Sequence, residues 1–228
     1  MGFDISIIAA SENQIGILGA APKAQVYSLK VLDDTGIGSI STVINAIDWC
    51  IQNNINIINM SFGTNDYSKA LEKEIKLAYK NGVLLVGSAG NNGEGATDDI
   101  QYPAAYADVI AVGAVDRDNQ VASFSSRGDK LELCAPGVEV YSTSLGKGYG
   151  TSSGTSFSAP HVAAVAALLW GKDETKSNEF IRTLLDESAQ DLGAAKDYGN
   201  GLVDGEQALN IYVSVKSYPH FKTHPCMR

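Results

Sequence analysis

What this sequence has little of narrows its function first. Its 228 residues hold three cysteines, Cys50, Cys134 and Cys226, scattered and without metal-ligand spacing. That excludes a cysteine metal site, and they read as two core thiols and one in the tail. Basic residues are outnumbered, with 17 Lys and Arg against 26 Asp and Glu and a net charge of −9. Phosphate binding needs clustered Lys and Arg, so nucleic acid is excluded as a partner. The acidity favours solubility and suits a bound cation. No apolar run reaches the roughly 18 residues of a membrane span. Met1-Gly2-Phe3-Asp4 has neither the basic n-region nor the cleavage site of a signal peptide, so nothing in the sequence addresses the chain for export and a cytoplasmic location stays open. Histidine is scarce too: His161, His220 and His224 are all there is.

What is present is a core-forming chain, 44% apolar, that reads as one domain over residues 1–215 with a loop or disordered tail over 216–228. Runs too apolar to alternate, Val26 to Leu32, Ile55 to Met60, Val83 to Val86 and Val109 to Val115, are separated by helical patterns, which predicts parallel strands covered on both faces. Ile40, Val43, Ile44, Ile47 and Ile51 give one helix stripe, with Ser39 or Ser41 as its cap. Leu71, Ile75, Ala78 and Tyr79 give the next, with Glu72 and Lys76 spaced to pair and Asn81-Gly82 ending it. Beyond Val115 short runs broken by Gly, Ser and Pro predict loops and short edge strands. A buried helix follows from about Ser158 to Trp170, with Pro160 in its first turn, and two more helices span about Glu179 to Ala189 and Asp204 to Val213.

A hydroxyl becomes a nucleophile when it is exposed, held rigidly and given a base. Ser156 stands between a glycine-rich loop, Gly148 to Gly154, and the start of the buried helix, whose dipole favours a developing oxyanion. The bland alternative makes Ser156 or Ser158 a helix cap. Gly87-Ser88-Ala89-Gly90-Asn91-Asn92-Gly93 directly follows a predicted strand and is at least a turn. Asn59-Met60-Ser61-Phe62-Gly63 ends another, at the edge where open parallel sheets bind ligands.

The string Gly154-Thr155-Ser156-Phe157-Ser158-Ala159-Pro160-His161, with the two stretches just described in order before it, resembles the subtilisin-like serine proteases, the subtilases. The resemblance runs from Ile7 to about Leu209. It implies a three-layer α/β fold, a mainly parallel sheet between helices, lacking its N-terminal part. It implies an endopeptidase acting on extended polypeptides through an acyl-enzyme on Ser156, with Asn91 as oxyanion donor. Ser61, Phe62 and Gly63, opposite Ser88, Ala89 and Gly90, would cradle the first side chain before the cut, and Gly36 and Gly38 would pair with substrate from the other side. The small, apolar lining suggests large apolar or aromatic side chains there. The loop from Ser11 to Ile17 resembles the family's calcium loop, with Asn13, Ile15 and Ile17 as oxygen ligands; the alternative is an ordinary helix-to-strand loop. The family is mostly secreted and usually made with an inhibitory prodomain.

Two expected residues have no match. Subtilases use Asp, His and Ser in that chain order, yet the stretch before Ile7-Ile8-Ala9-Ala10 holds no His, and no residue corresponds to the Asp. Asp34, within Asp33-Asp34-Thr35-Gly36, resembles the Asp motif, but no His motif follows and the substrate-side loop fits better. Asp4 reads as a solvated terminal residue, and His161 as a satisfied core histidine. The expectation is therefore a subtilase chain inactive alone, with a missing N-terminal segment as its partner; the alternatives are a peptide-binding pseudoprotease or one chain of a complementing pair.

Overall fold

Leu84 and Val86 face one side of their strand while Val83 and Leu85 face the other, and this alternation sorts the interior into two apolar layers. The computed structural model describes residues 2–93, 99–144 and 148–217. In chain order its elements are α1 (Gly2–Ala9), α2 (Ile40–Gln52), β1 (Ile57–Met60), α3 (Lys69–Lys80), β2 (Leu84–Ser88), β3 (Val109–Val115), β4 (Leu133–Pro136), β5 (Val140–Ser144), β6 (Gly148–Ser152), α4 (Thr155–Trp170), α5 (Asn178–Ser188), α6 (Ala195–Tyr198) and α7 (Gly205–Ser217).

Strands β1 to β4 form a parallel sheet in sequence order, with Ile57 opposite Leu84, Leu85 opposite Val109 and Val112 opposite Leu133. On one face Val43 and Ile47 of α2 and Leu71, Ile75 and Ala78 of α3 meet Leu85 and Val109. On the other, Ala159, Val162, Ala166 and Leu169 of α4 meet Val86, Ile110, Val112 and Leu133, and α5 and α7 close over them. This is the three-layer α/β architecture expected. Fully burying each of these large side chains contributes about 1.5–3 kcal/mol, which is why α4, apolar nearly all round, runs through the middle. Ser39 caps α2 by accepting from the Thr42 N–H at 3.1 Å, so of the two candidate caps Ser41 is the idle one.

Several expectations are corrected. Val26 to Leu32 is no strand: among the described residues it has no ladder partner, and Val26 and Tyr27 are 39% and 51% exposed. An apolar run becomes a strand only by hydrogen bonding to a neighbour, and β1 offers its ladder to β2 alone. Glu72 accepts from the Tyr67 hydroxyl at 2.6 Å and makes no ion pair with Lys76. The glycine-rich stretch is a strand, because Gly148 to Ser152 pair antiparallel with β5, and Tyr141 stacks on Tyr149. Helix α4 begins at Thr155, so Pro160 lies beyond the first turn. Lys216 and Ser217 continue α7; Pro219, His220, His224, Pro225 and Cys226 lie outside the described residues.

Candidate active site

The site is assembled where the ends of β1 and β2 meet the start of α4. A helix start leaves N–H groups without partners, and Gly154, the residue before α4, has no side chain to cap them. Asn91 supplies the cap from another loop: its Oδ1 accepts from the Thr155 N–H at 2.9 Å and from the Thr155 hydroxyl at 3.1 Å. Thr155 Oγ1 in turn accepts from the Gly90 N–H at 3.1 Å. With the oxygen so engaged, the orientation of the Asn91 amide follows, and Nδ2 is the end left to donate. Asn91 is exposed, beside the half-buried Ser156. The left-handed positions in the loop are Gly90 and Gly93, at φ of 115° and 77°; Asn91 and Asn92 need no such backbone.

Neither serine caps the helix. Ser158 Oγ donates to the Pro136 carbonyl at 3.3 Å, and Ser156 Oγ donates to the Ser61 carbonyl at 3.1 Å. The return bond has a backbone cause. Pro160 has no N–H, so the carbonyl four residues earlier, that of Ser156, is left without its helical donor. Ser61 Oγ donates to it at 2.9 Å, and accepts from Asn59 Nδ2 at the same distance. The two serines thus hold each other's main chain, tying the end of β1 to the first turn of α4.

Asp4, expected to be solvated, is half-buried on α1 close to Ser61. Burial pushes its carboxyl up to about 6, against the opposing influence of the Ser61 hydroxyl. His161 is the satisfied histidine expected: its Nδ1 donates to the Phe157 carbonyl at 2.8 Å, and burial depresses its pKa. Asp33 ties its own loop, accepting from Thr35 N–H and Oγ1 and from Ile37 N–H, while Asp34 pairs with Lys30 on the surface at 2.6 Å. Neither aspartate faces Ser156. Gly36 takes the left-handed turn in this loop, at φ 81°, and Gly38 lies against the Val31 carbonyl; no hydrogen bond joins them to Ser61–Gly63.

The two stretches expected to form the walls differ in burial. Ser61 and Phe62 are half-buried and Gly63 is exposed. Ser88 and Ala89 are buried, Ala89 among Ile100, Ala104 and Leu131. The Ala89 carbonyl accepts from the Gln101 N–H at 2.8 Å and the Gly90 carbonyl from the Ser126 N–H at 2.9 Å. Sequence reasoning missed the part played by Thr155, although it lies inside the Gly154 to His161 string, and missed Asn65 and Gln101, which carry no local pattern and are brought in by topology. Asn13 Oδ1 accepts from the Ile15 N–H at 3.0 Å within an exposed loop, and Gln14 and Gly16 turn it with positive φ.

Comparison with known proteins accords with the geometry. A family model described as "Subtilase family" matches residues 5–201. The chain is similar to Subtilisin E of Bacillus subtilis (strain 168), 46% identical over 202 residues, covering 88% of this chain and 53% of that protein. It is 46% identical to Subtilisin of Bacillus pumilus over 202 residues, covering 88% and 74% respectively. It is 47% identical over 201 residues to the Thermostable alkaline protease of Halalkalibacterium halodurans, covering 88% and 55%. The chain thus spans about half the length of the first and third of these relatives.

Proposed function

The chain belongs to the subtilase family, and from that premise we propose that its site is built to cleave peptide bonds of extended polypeptides through an acyl-enzyme on Ser156. The observation that carries this is the capping of α4 by Asn91 Oδ1 through Thr155, the residue before Ser156, which leaves the amide Nδ2 as the end that can donate. A donor so fixed costs no reorganisation when a carbonyl oxygen becomes an oxyanion, and one such donor is worth about 10²–10³ in rate. In the addition that begins acyl transfer Ser156 Oγ bonds to the carbonyl carbon, the C=O π electrons move to the oxygen, and the hydroxyl proton must pass to a base; collapse then re-forms the C=O, breaks the C–N bond and returns that proton to the leaving amine. Among the described residues the Ser156 proton points to the Ser61 carbonyl, which orients it and cannot take it up. We therefore propose that these 228 residues alone bind peptide and do not turn it over.

Supplying a base in solution tests this. Labelling of Ser156 by a fluorophosphonate is expected to be slow in buffer and to accelerate with added imidazole, and the Ser156→Ala variant is expected to take no label. Rapid labelling without imidazole would overturn the inactivity of the chain alone. No Ser156 label at any imidazole concentration would overturn the nucleophile itself.

For a structural calcium ion the candidate donors are Asn13 and the carbonyls of Ile15 and Ile17. Neutral amide and carbonyl oxygens are of the kind calcium takes, but they fall short of the six to eight oxygens it needs. Among the described residues no group of three or more His, Cys, Asp and Glu side chains comes together. The loop offers part of a shell, and no step above runs through a metal.

A further inference from the structure

The slot between the two walls is occupied by a side chain of the protein itself. A Cβ added to Gly63 would lie 2.8 Å from Gln101 Oε1 and 2.9 Å from Gln101 Cβ. One added to Gly90 would lie 2.8 Å from both Gln101 Cγ and Oε1. Contacts that close are not tolerated by real Cβ atoms, so the two glycines are required where they stand by Gln101, which runs across both.

Its stem cannot retreat. The Gln101 N–H donates to the Ala89 carbonyl at 2.8 Å, and the next residue, Tyr102, exchanges two backbone hydrogen bonds with Thr64, at 2.9 and 2.8 Å. The segment is thereby stitched to both walls at once. The free end is held as well: Gln101 Nε2 donates to Asn65 Oδ1 at 3.1 Å, and Asn92 Nδ2 donates to the same oxygen at 3.3 Å. Gln101 is half-buried, so it forms a floor open to solvent.

We propose that Gln101 is the specificity-determining residue of this site, shortening the slot so that it accepts a small uncharged side chain, Gly, Ala or Ser, before the scissile bond and excludes Phe, Tyr, Leu and Met. This rests on the peptide-cleft reading above, and it replaces the preference for large apolar side chains expected from the glycine-rich walls. A side chain larger than serine must either displace the amide from Asn65 or meet its carbon stem. Even a single methylene shifts discrimination in such pockets about 10–200-fold, and an aromatic ring is far larger than that.

The test is binding by the full chain, read by fluorescence polarisation with labelled tetrapeptides that end in a free carboxylate and differ in the last residue. The alanine-ended peptide is expected to bind at least tenfold more tightly than the phenylalanine-ended one. Gln101→Gly is expected to reverse or abolish that order, and Gln101→Ala to do so in part, which covers the case in which glycine loosens the segment. Equal or tighter binding of the phenylalanine peptide by the unaltered chain would overturn this inference and leave the peptide cleft standing. Binding of neither peptide by any of the three proteins would overturn the cleft and this inference together.

Discussion

At the scale of single residues, Asn91 has two roles carried by different atoms, and substitution can part them. Oδ1 caps α4 through Thr155, while Nδ2 is the proposed donor to the oxyanion. Asn91→Asp keeps the acceptor and adds negative charge at a helix N-terminus, which the dipole favours. It removes the donor. Asn91→Asp is therefore expected to melt within about 0.5 kcal/mol of the parent, by denaturant titration, yet to lose about 10²-fold of the imidazole-assisted labelling of Ser156. Asn91→Ala should lose the labelling and about 1 kcal/mol of stability as well. Equal labelling of the parent and Asn91→Asp would show that the amide is a cap and nothing more. Both Ser156 and Asn91 were legible in the sequence, because each sits in a short contiguous string beside an unmistakable strand or helix. Gln101 was not. It lies before Tyr102 and Pro103 with no pattern of its own, and what it fills is decided by two distant glycines that the sheet brings to it.

At the scale of elements, the break in the α4 ladder is stitched by β1. Pro160 leaves the Ser156 carbonyl without a helical donor, and the Ser61 hydroxyl takes that place. Ser61→Ala leaves the carbonyl unsatisfied and is expected to cost about 1–3 kcal/mol. In the Pro160→Ala background the helix provides its own N–H, so the same Ser61→Ala change should cost under about 0.5 kcal/mol. A full double-mutant cycle by denaturant unfolding measures the coupling; an equal cost in both backgrounds would remove the compensation argued here. The helices and inner strands could be read from the sequence because burial of one stripe or of both faces writes its period into the residues. Val26 to Leu32 misled because a strand also needs a neighbour, which its own residues do not encode. The β5–β6 hairpin was hidden for the opposite reason: glycines and serines between the tyrosines dilute the alternation that their pairing would otherwise show.

At the scale of the whole molecule, the sheet ends on one side at β1, whose outer edge meets no strand among the described residues. Elsewhere on the surface Leu18, Tyr27 and Ile37 are 59%, 51% and 69% exposed. An unpaired strand edge is a template for association, and exposed apolar side chains add to it. The 228-residue chain is expected to self-associate at micromolar concentration in sedimentation experiments and to unfold over a broad range of denaturant. A monomer with a sharp cooperative transition would contradict this. The reciprocal bonds between Ser61 and Ser156 carry a further consequence. If a peptide binds as proposed, along Phe62 and Gly63, it touches the strand end whose carbonyl holds the Ser156 hydroxyl. Filling the proposed cleft would then move the group that holds the reactive oxygen, and a peptide too short to reach this strand would leave that hydroxyl on the Ser61 carbonyl.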